Sequence, residues 1–210
     1  MDTTNQVVGG SGFLGSWTLK ALLDHGFTVL AVVRSQQKAD LLQNLFKEQA
    51  DRLEFTIVED FTVPGAFDGA MIGKDISGII HSGSPMPTVG TQKDPDCYIL
   101  PAIAGTLEVL KSASQAGVAR VVYTSSVTAV IEPGGYPFTY DEDMWSKDFI
   151  RIAKDQGAKA PSLLKYGASK CLAEKAAWEY INSSQPPFDL VTTLPTLIWG
   201  VRLLLLLINV

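Results

Sequence analysis

The sequence predicts an α/β chain, a doubly wound parallel sheet with helices on both faces. Three observations carry this. Short runs rich in Val and Ile alternate with longer segments of helical period. Runs such as TVLAVV at 28–33 are continuously apolar, as expected of strands covered on both faces. A glycine-rich bend, GGSGFLG at 9–15, stands between the first such run and the first helical segment.

Taken in order, QVV at 6–8 is a brief first strand. Leu14, Trp17, Ala21 and Leu22 lie at helical spacing, which predicts a helix from Phe13 to His25 stopped by Gly26. The second strand is 28–33. A helix follows through KADLLQNLFKEQ, then a third strand at 53–58, a short helix near PGAFDGAM and a strand at 78–80. Asp94 can cap the next helix with Pro95 at its first position, and Ile99, Ile103, Leu107 and Leu110 mark one buried stripe. RVVYTSS at 120–126 is the strand closing this part. Residues 132–162, rich in Gly, Pro, Asp and Lys, read as a long surface excursion, and loops of that length are usually functional. A helix from Leu163 to Asn182 and a strand FDLVTTL complete the alternation.

With 210 residues and 46% hydrophobic content the chain can bury a sizeable core as one domain. The net charge of −5, without a dense Lys/Arg block, argues against nucleic acid and favours a small-molecule ligand. Cys97 and Cys171 have no CxxC spacing, and only His25 and His81 are present, so neither a disulfide framework nor a metal centre is expected. The N-terminus shows no secretory pattern, so the cytoplasm is the expected compartment. Residues 190–210 have enough length and apolarity to raise the question of a membrane tail anchor. Pro195, Gly200 and Arg202 split that stretch, which favours a buried strand, a loop and an apolar tail at 201–210 instead.

The glycines carry a chemical implication. Gly9, Gly12 and Gly15 fall on the spacing of a dinucleotide-binding bend, where the tight turn, the approach of a pyrophosphate and close helix–strand packing each require glycine. The positive end of the following helix favours a phosphate there. At the end of the second strand, an acid would accept from the ribose hydroxyls of NAD, and a cation would meet the 2'-phosphate of NADP. This chain has Arg34, with Lys38 one turn later, so NADP is favoured over NAD.

A second constellation is KYGASK, which places Tyr166 and Lys170 four residues apart on one helical face. A nearby cation stabilises a phenolate and is expected to lower the phenol's pKa, making proton exchange with a carbonyl oxygen practical. YTSS at 123–126 ends a central strand, where open parallel sheets place ligands, and Ser126 could hold a substrate carbonyl against Tyr166.

Together GGSGFLG, TSS, YGASK and TTLPTLIWG resemble the extended short-chain dehydrogenase/reductase family, part of the NAD-dependent epimerase/dehydratase superfamily. The likeness is greatest to its dihydroflavonol-reductase-like branch, with its fungal ketone and aldehyde reductases; PAIAGTLEVLK, DEDMW and SKCLAEKAAWEY agree in order and spacing. The resemblance implies a Rossmann-type NAD(P)-binding domain over 1–200 and Ser126, Tyr166 and Lys170 as catalytic group. It implies NADP(H) held by the bend with Phe13 and Leu14, by Arg34 and Lys38, by Asp60 and Phe61 at the adenine, and by Lys170 and Pro195 near the nicotinamide. The reaction implied is reduction of a small ketone or aldehyde. A cofactor-binding module without turnover and a nucleotide-sugar epimerase or dehydratase are the alternative readings.

Three departures stand out. Val8 replaces the family's usual threonine, losing a hydroxyl, and Gly83 in HSGSP is a small-for-small exchange. His81 is read as structural. Relatives continue into a smaller substrate-covering region that this sequence does not contain, so an open pocket and bare apolar surface are expected.

Overall fold

The computed structural model describes residues 4–85, 93–132 and 139–203. Six parallel strands form one sheet in the order β3-β2-β1-β4-β5-β6. These are β1 (Thr4–Val8), β2 (Thr28–Val33), β3 (Leu53–Ile57), β4 (Ile76–His81), β5 (Arg120–Thr124) and β6 (Asp189–Thr193). The strand order reverses between β1 and β4, and open sheets of this kind bind ligands beyond the carboxyl ends of the strands at that point.

Alternation explains the apolar runs. On β2, Val29, Ala31 and Val33 join Leu19, Leu23, Ala39 and Leu42 on one face. Leu30 and Val32 join Phe67, Met71 and Val109 on the other. The first face is covered by α1 (Phe13–Asp24) and α2 (Gln36–Leu45), the second by α3 (Asp68–Met71), α4 (Asp96–Ala116) and the helix α6 (Ser162–Ser184). The α1 side covers less of the sheet: Val191, on β6 opposite buried Leu190, is 39% exposed.

Several sequence expectations need correction. In α1 the buried row is Gly15, Ser16, Leu19 and Leu23, while Trp17 and Ala21 of the spaced apolar row are exposed. Close approach of Gly15 to the preceding bend turns that side of the helix inward. In α4, Ile103 and Leu107 are only half-buried; the buried positions include Ala102, Gly105, Thr106 and Val109. Small residues let α4 pack closely: a Cβ on Gly105 would lie 2.1 Å from the Phe61 ring. The α4 start lies one residue later than expected: Pro95, in helical conformation, is the N-cap, and Asp94 Oδ1 accepts from Asp96 N at 2.9 Å.

The excursion at 132–162 also contains a helix, α5 (Lys147–Gln156). Its first amides are met by a residue outside it: Glu132 Oε1 accepts from Lys147 N at 2.9 Å and Oε2 from Asp148 N at 3.0 Å. Residues 133–138 of the excursion and 204–210 of the apolar tail lie outside the described residues. Among the described residues no helix is long and apolar enough to cross a membrane.

Candidate cofactor and proton-transfer site

The bend after β1 is closed by backbone bonds, Gly12 N donating to Gly9 O at 3.0 Å and Gly10 N to Val32 O at 3.3 Å. Gly9 sits at φ +86°, a region that side chains disfavour, and a Cβ there would lie 2.8 Å from Gly83 N. A Cβ on Gly15 would lie 2.1 Å from Gly9 O. The bend therefore tolerates no side chain where it meets α1. No side chain caps α1 and no acid occupies its first turn. The amides of Phe13, Leu14 and Gly15 lack intrahelical acceptors by the geometry of any helix start. This is a cradle for an anion.

Arg34, exposed, and Lys38, half-buried, lie at the end of β2 and the start of α2; among the described residues neither enters an ion pair. Asp60 Oδ1 accepts from Thr62 N at 2.9 Å and Thr62 Oγ1 at 2.6 Å, and these bonds hold its carboxyl below the ordinary range. Phe61 turns its ring onto Gly105 of α4.

The second cluster gathers at the carboxyl ends of β4 and β5. Ser126 is buried and starts a 3-10 turn, its Oγ accepting from Thr128 N at 3.3 Å and Thr128 Oγ1 at 3.0 Å. Tyr166 of α6 lies near Ser126, whose side chain opposes the rise in its pKa. Lys170, one turn on, is 2% exposed; its Nζ donates to Tyr123 Oη at 3.1 Å and Thr124 O at 2.7 Å. Pro195 O accepts from Val127 N at 3.0 Å, which ties the segment after β6 to the turn holding Ser126.

The electrostatics correct one expectation. Tyr166 is raised above the ordinary phenol value, not lowered, because burial outweighs the opposing effect of Ser126. Lys170 has turned its ammonium toward β5 instead. Burial pushes Lys170 down to about 8, opposed by the carboxylate of Glu174. A phenol with a raised pKa stays protonated at neutral pH but releases its proton less readily than a free phenol, so burial of Tyr166 in this state works against donation.

Two neighbours were not anticipated from the sequence. Tyr123, 1% exposed, lies beneath Lys170 with its ring centroid 4.6 Å from Nζ. Glu174, 3% exposed, accepts from Ser125 Oγ. Its place four residues after Lys170 in KCLAE was a readable signal. His81 stacks on Tyr123 at 5.4 Å, and among the described residues neither of its ring nitrogens has a hydrogen-bond partner. Burial, then the charge of Lys170, push its pKa down to about 3, so it is a neutral packing group.

Comparison with known proteins agrees with this geometry. The pattern of the NAD dependent epimerase/dehydratase family matches residues 6–202. The chain is 33% identical to the ketoreductase sphI of Aspergillus fumigatus, over 92% of this chain and 58% of that protein. It is 36% identical to the dihydroflavonol 4-reductase of Dianthus caryophyllus, over 92% and 51% respectively. The fold superposes on the yeast methylglyoxal/isovaleraldehyde reductase complexed with NADPH with a TM-score of 0.83, at 27% identity, over 95% of this chain and 59% of that one. The chain thus spans little more than half the length of the relatives it matches. Its bend, its parallel sheet and its sequence together place it in the NAD dependent epimerase/dehydratase family.

Proposed function

We propose that this chain binds NADP(H) and reduces a small ketone or aldehyde to an alcohol, with Tyr166 delivering the proton. The observation that carries the reading is the gathering of buried Ser126 and buried Lys170 at the carboxyl edge of the sheet, with Tyr166 one turn before Lys170 on the same helix. The cradle fits the cofactor. The bend, closed to a Cβ at Gly9 and Gly15, would take the diphosphate together with the amides of Phe13 and Leu14. Arg34 and Lys38 would meet the 2'-phosphate, Asp60 and Phe61 would border the adenine, and Lys170 and Pro195 would lie near the nicotinamide end. The names of the relatives, ketoreductases and an NADPH-complexed aldehyde reductase, support the same class.

When bound, reduced nicotinamide supplies a hydride to the carbonyl carbon. Ser126 orients the carbonyl oxygen, and the Tyr166 O–H bond breaks as its proton passes to that oxygen. Solvent reprotonates the phenolate left behind, and the Lys170 ammonium would stabilise it by turning from Tyr123 and Thr124 toward Tyr166.

The test is direct. NADPH fluorescence should rise on binding, with NADH weaker, and absorbance should fall when a panel of aromatic and aliphatic aldehydes is added. Tyr166→Phe should cut turnover roughly 10²-fold or more while leaving NADPH affinity unchanged, because only the proton donor is lost. Turnover surviving that change would refute the mechanism. Binding without turnover in the parent would leave the cofactor site and remove the reaction.

A further inference from the structure

Tyr166, Lys170 and Glu174 stand at successive turns of α6, one row directed at the end of β5. The first two belong to the proposed reaction. The third is a carboxylate only 3% exposed, and such groups are costly to bury unless compensated. Among the described residues no cation lies within ion-pair distance of it. Its direct partner is Ser125 Oγ, and Ser125 is itself fixed, its amide donating to Thr193 O at 2.8 Å. Ser125 immediately precedes Ser126.

The surroundings of Lys170 lack a contacting counter-charge as well. Its Nζ meets two neutral oxygens, from Tyr123 and Thr124. The titratable groups that contact or act on it are Tyr123 on β5, His81 on β4 and Glu174 on α6, and Tyr166 of α6 lies near Tyr123. Burial keeps both phenols protonated and His81 neutral, so Glu174 supplies the negative charge of this group.

We propose that Glu174 is a positioning residue for the reaction centre: it is the buried counter-charge that keeps Lys170 an ammonium, and through Ser125 it holds the strand end that presents Ser126. This rests on the reading of Tyr166 and Lys170 as the proton-transfer pair, but its consequence for Lys170 can be measured without turnover. Removing the carboxylate should make the ammonium harder to keep and lower its titration midpoint.

The experiment follows the Lys170 Nζ signal by lysine-selective NMR against pH in the full chain without cofactor, with Lys170→Arg identifying the signal. Glu174→Gln, which keeps an acceptor for Ser125, should move the midpoint down by about one pH unit. Where turnover is measurable, its alkaline limb should move the same way, and Glu174→Asp should restore most of the shift. A folded Glu174→Gln protein with the parental midpoint overturns the proposal. If the Gln variant does not fold, Glu174→Asp alone should give a smaller downward shift, and a midpoint at or above the parent's overturns it equally. A parent that reduces no carbonyl yet shows the shift would refute the proposed reaction and leave the role of Glu174 standing.

Discussion

The glycine bend and the proton-transfer cluster face the same edge of the sheet but are built in opposite ways. The bend is nearly contiguous: residues 9–15 close on themselves, with Val32 of β2 accepting from Gly10 N and Gly83 packed on Gly9 from the end of β4. The cluster is gathered from β4, β5, α6 and the segment after β6, with contacts such as Lys170 to Tyr123 spanning 47 positions. A site made of backbone is sensitive to any added atom. One made of buried side chains is sensitive to charge.

The largest effect that would break this contrast lies in the bend. Gly15→Ala places a methyl group 2.1 Å from Gly9 O, and Gly9 cannot retreat because it packs on Gly83. NADPH binding should be lost, with a destabilisation of about 3 kcal/mol or more; fluorescence titration and thermal unfolding check both. A Gly15→Ala chain that binds like the parent would mean that the bend is not a close-packed cradle.

Next comes acid sensitivity in the cluster. His81 titrates near its ordinary 6.5 when unfolded and at about 3 when folded, so the unfolded chain binds more protons between those values. The stability owed to neutral His81 is therefore complete above pH 6.5 and is lost as pH falls toward 3. The slope is on the order of one kcal/mol per pH unit. Urea unfolding of the parent and of His81→Phe should show this in the parent alone, since Phe keeps the stacking on Tyr123 and removes the titration. Parallel slopes in the two proteins would count against a buried neutral imidazole.

The smallest effect sharpens the comparison at the long-range contact between the bend and Gly83. A Cβ on Gly83 would meet Val8 Cγ1 at 3.5 Å, an ordinary contact. Gly83→Ala should therefore change stability by less than about 0.5 kcal/mol and leave NADPH affinity intact. A large loss would place Gly83 within the cradle itself.

Legibility in the sequence follows the same division. β2 occupies the expected residues, β3 ends one residue earlier, and α6 starts one residue earlier and ends two later, since each is an unbroken run of one periodicity. The missed helix α5 lies in a stretch whose Gly, Pro and Asp content reads as loop, and its start is completed by Glu132 from across that loop. The misread rows in α1 and α4 share a cause. Apolar spacing shows that a helix has a face, but glycines at close contacts, Gly15 and Gly105, decide which face turns inward.

Residue order alone determined the alternation of strands and helices, the bend at 9–15 and the row carrying Tyr166 and Lys170, because each depends on neighbours within a few positions. Only the tertiary structure decided that Lys170 points to Tyr123, that burial raises the pKa of Tyr166, and that Glu174 meets Ser125. Those outcomes depend on burial and on charges brought together across the sheet, and no local pattern encodes how far a group is removed from water.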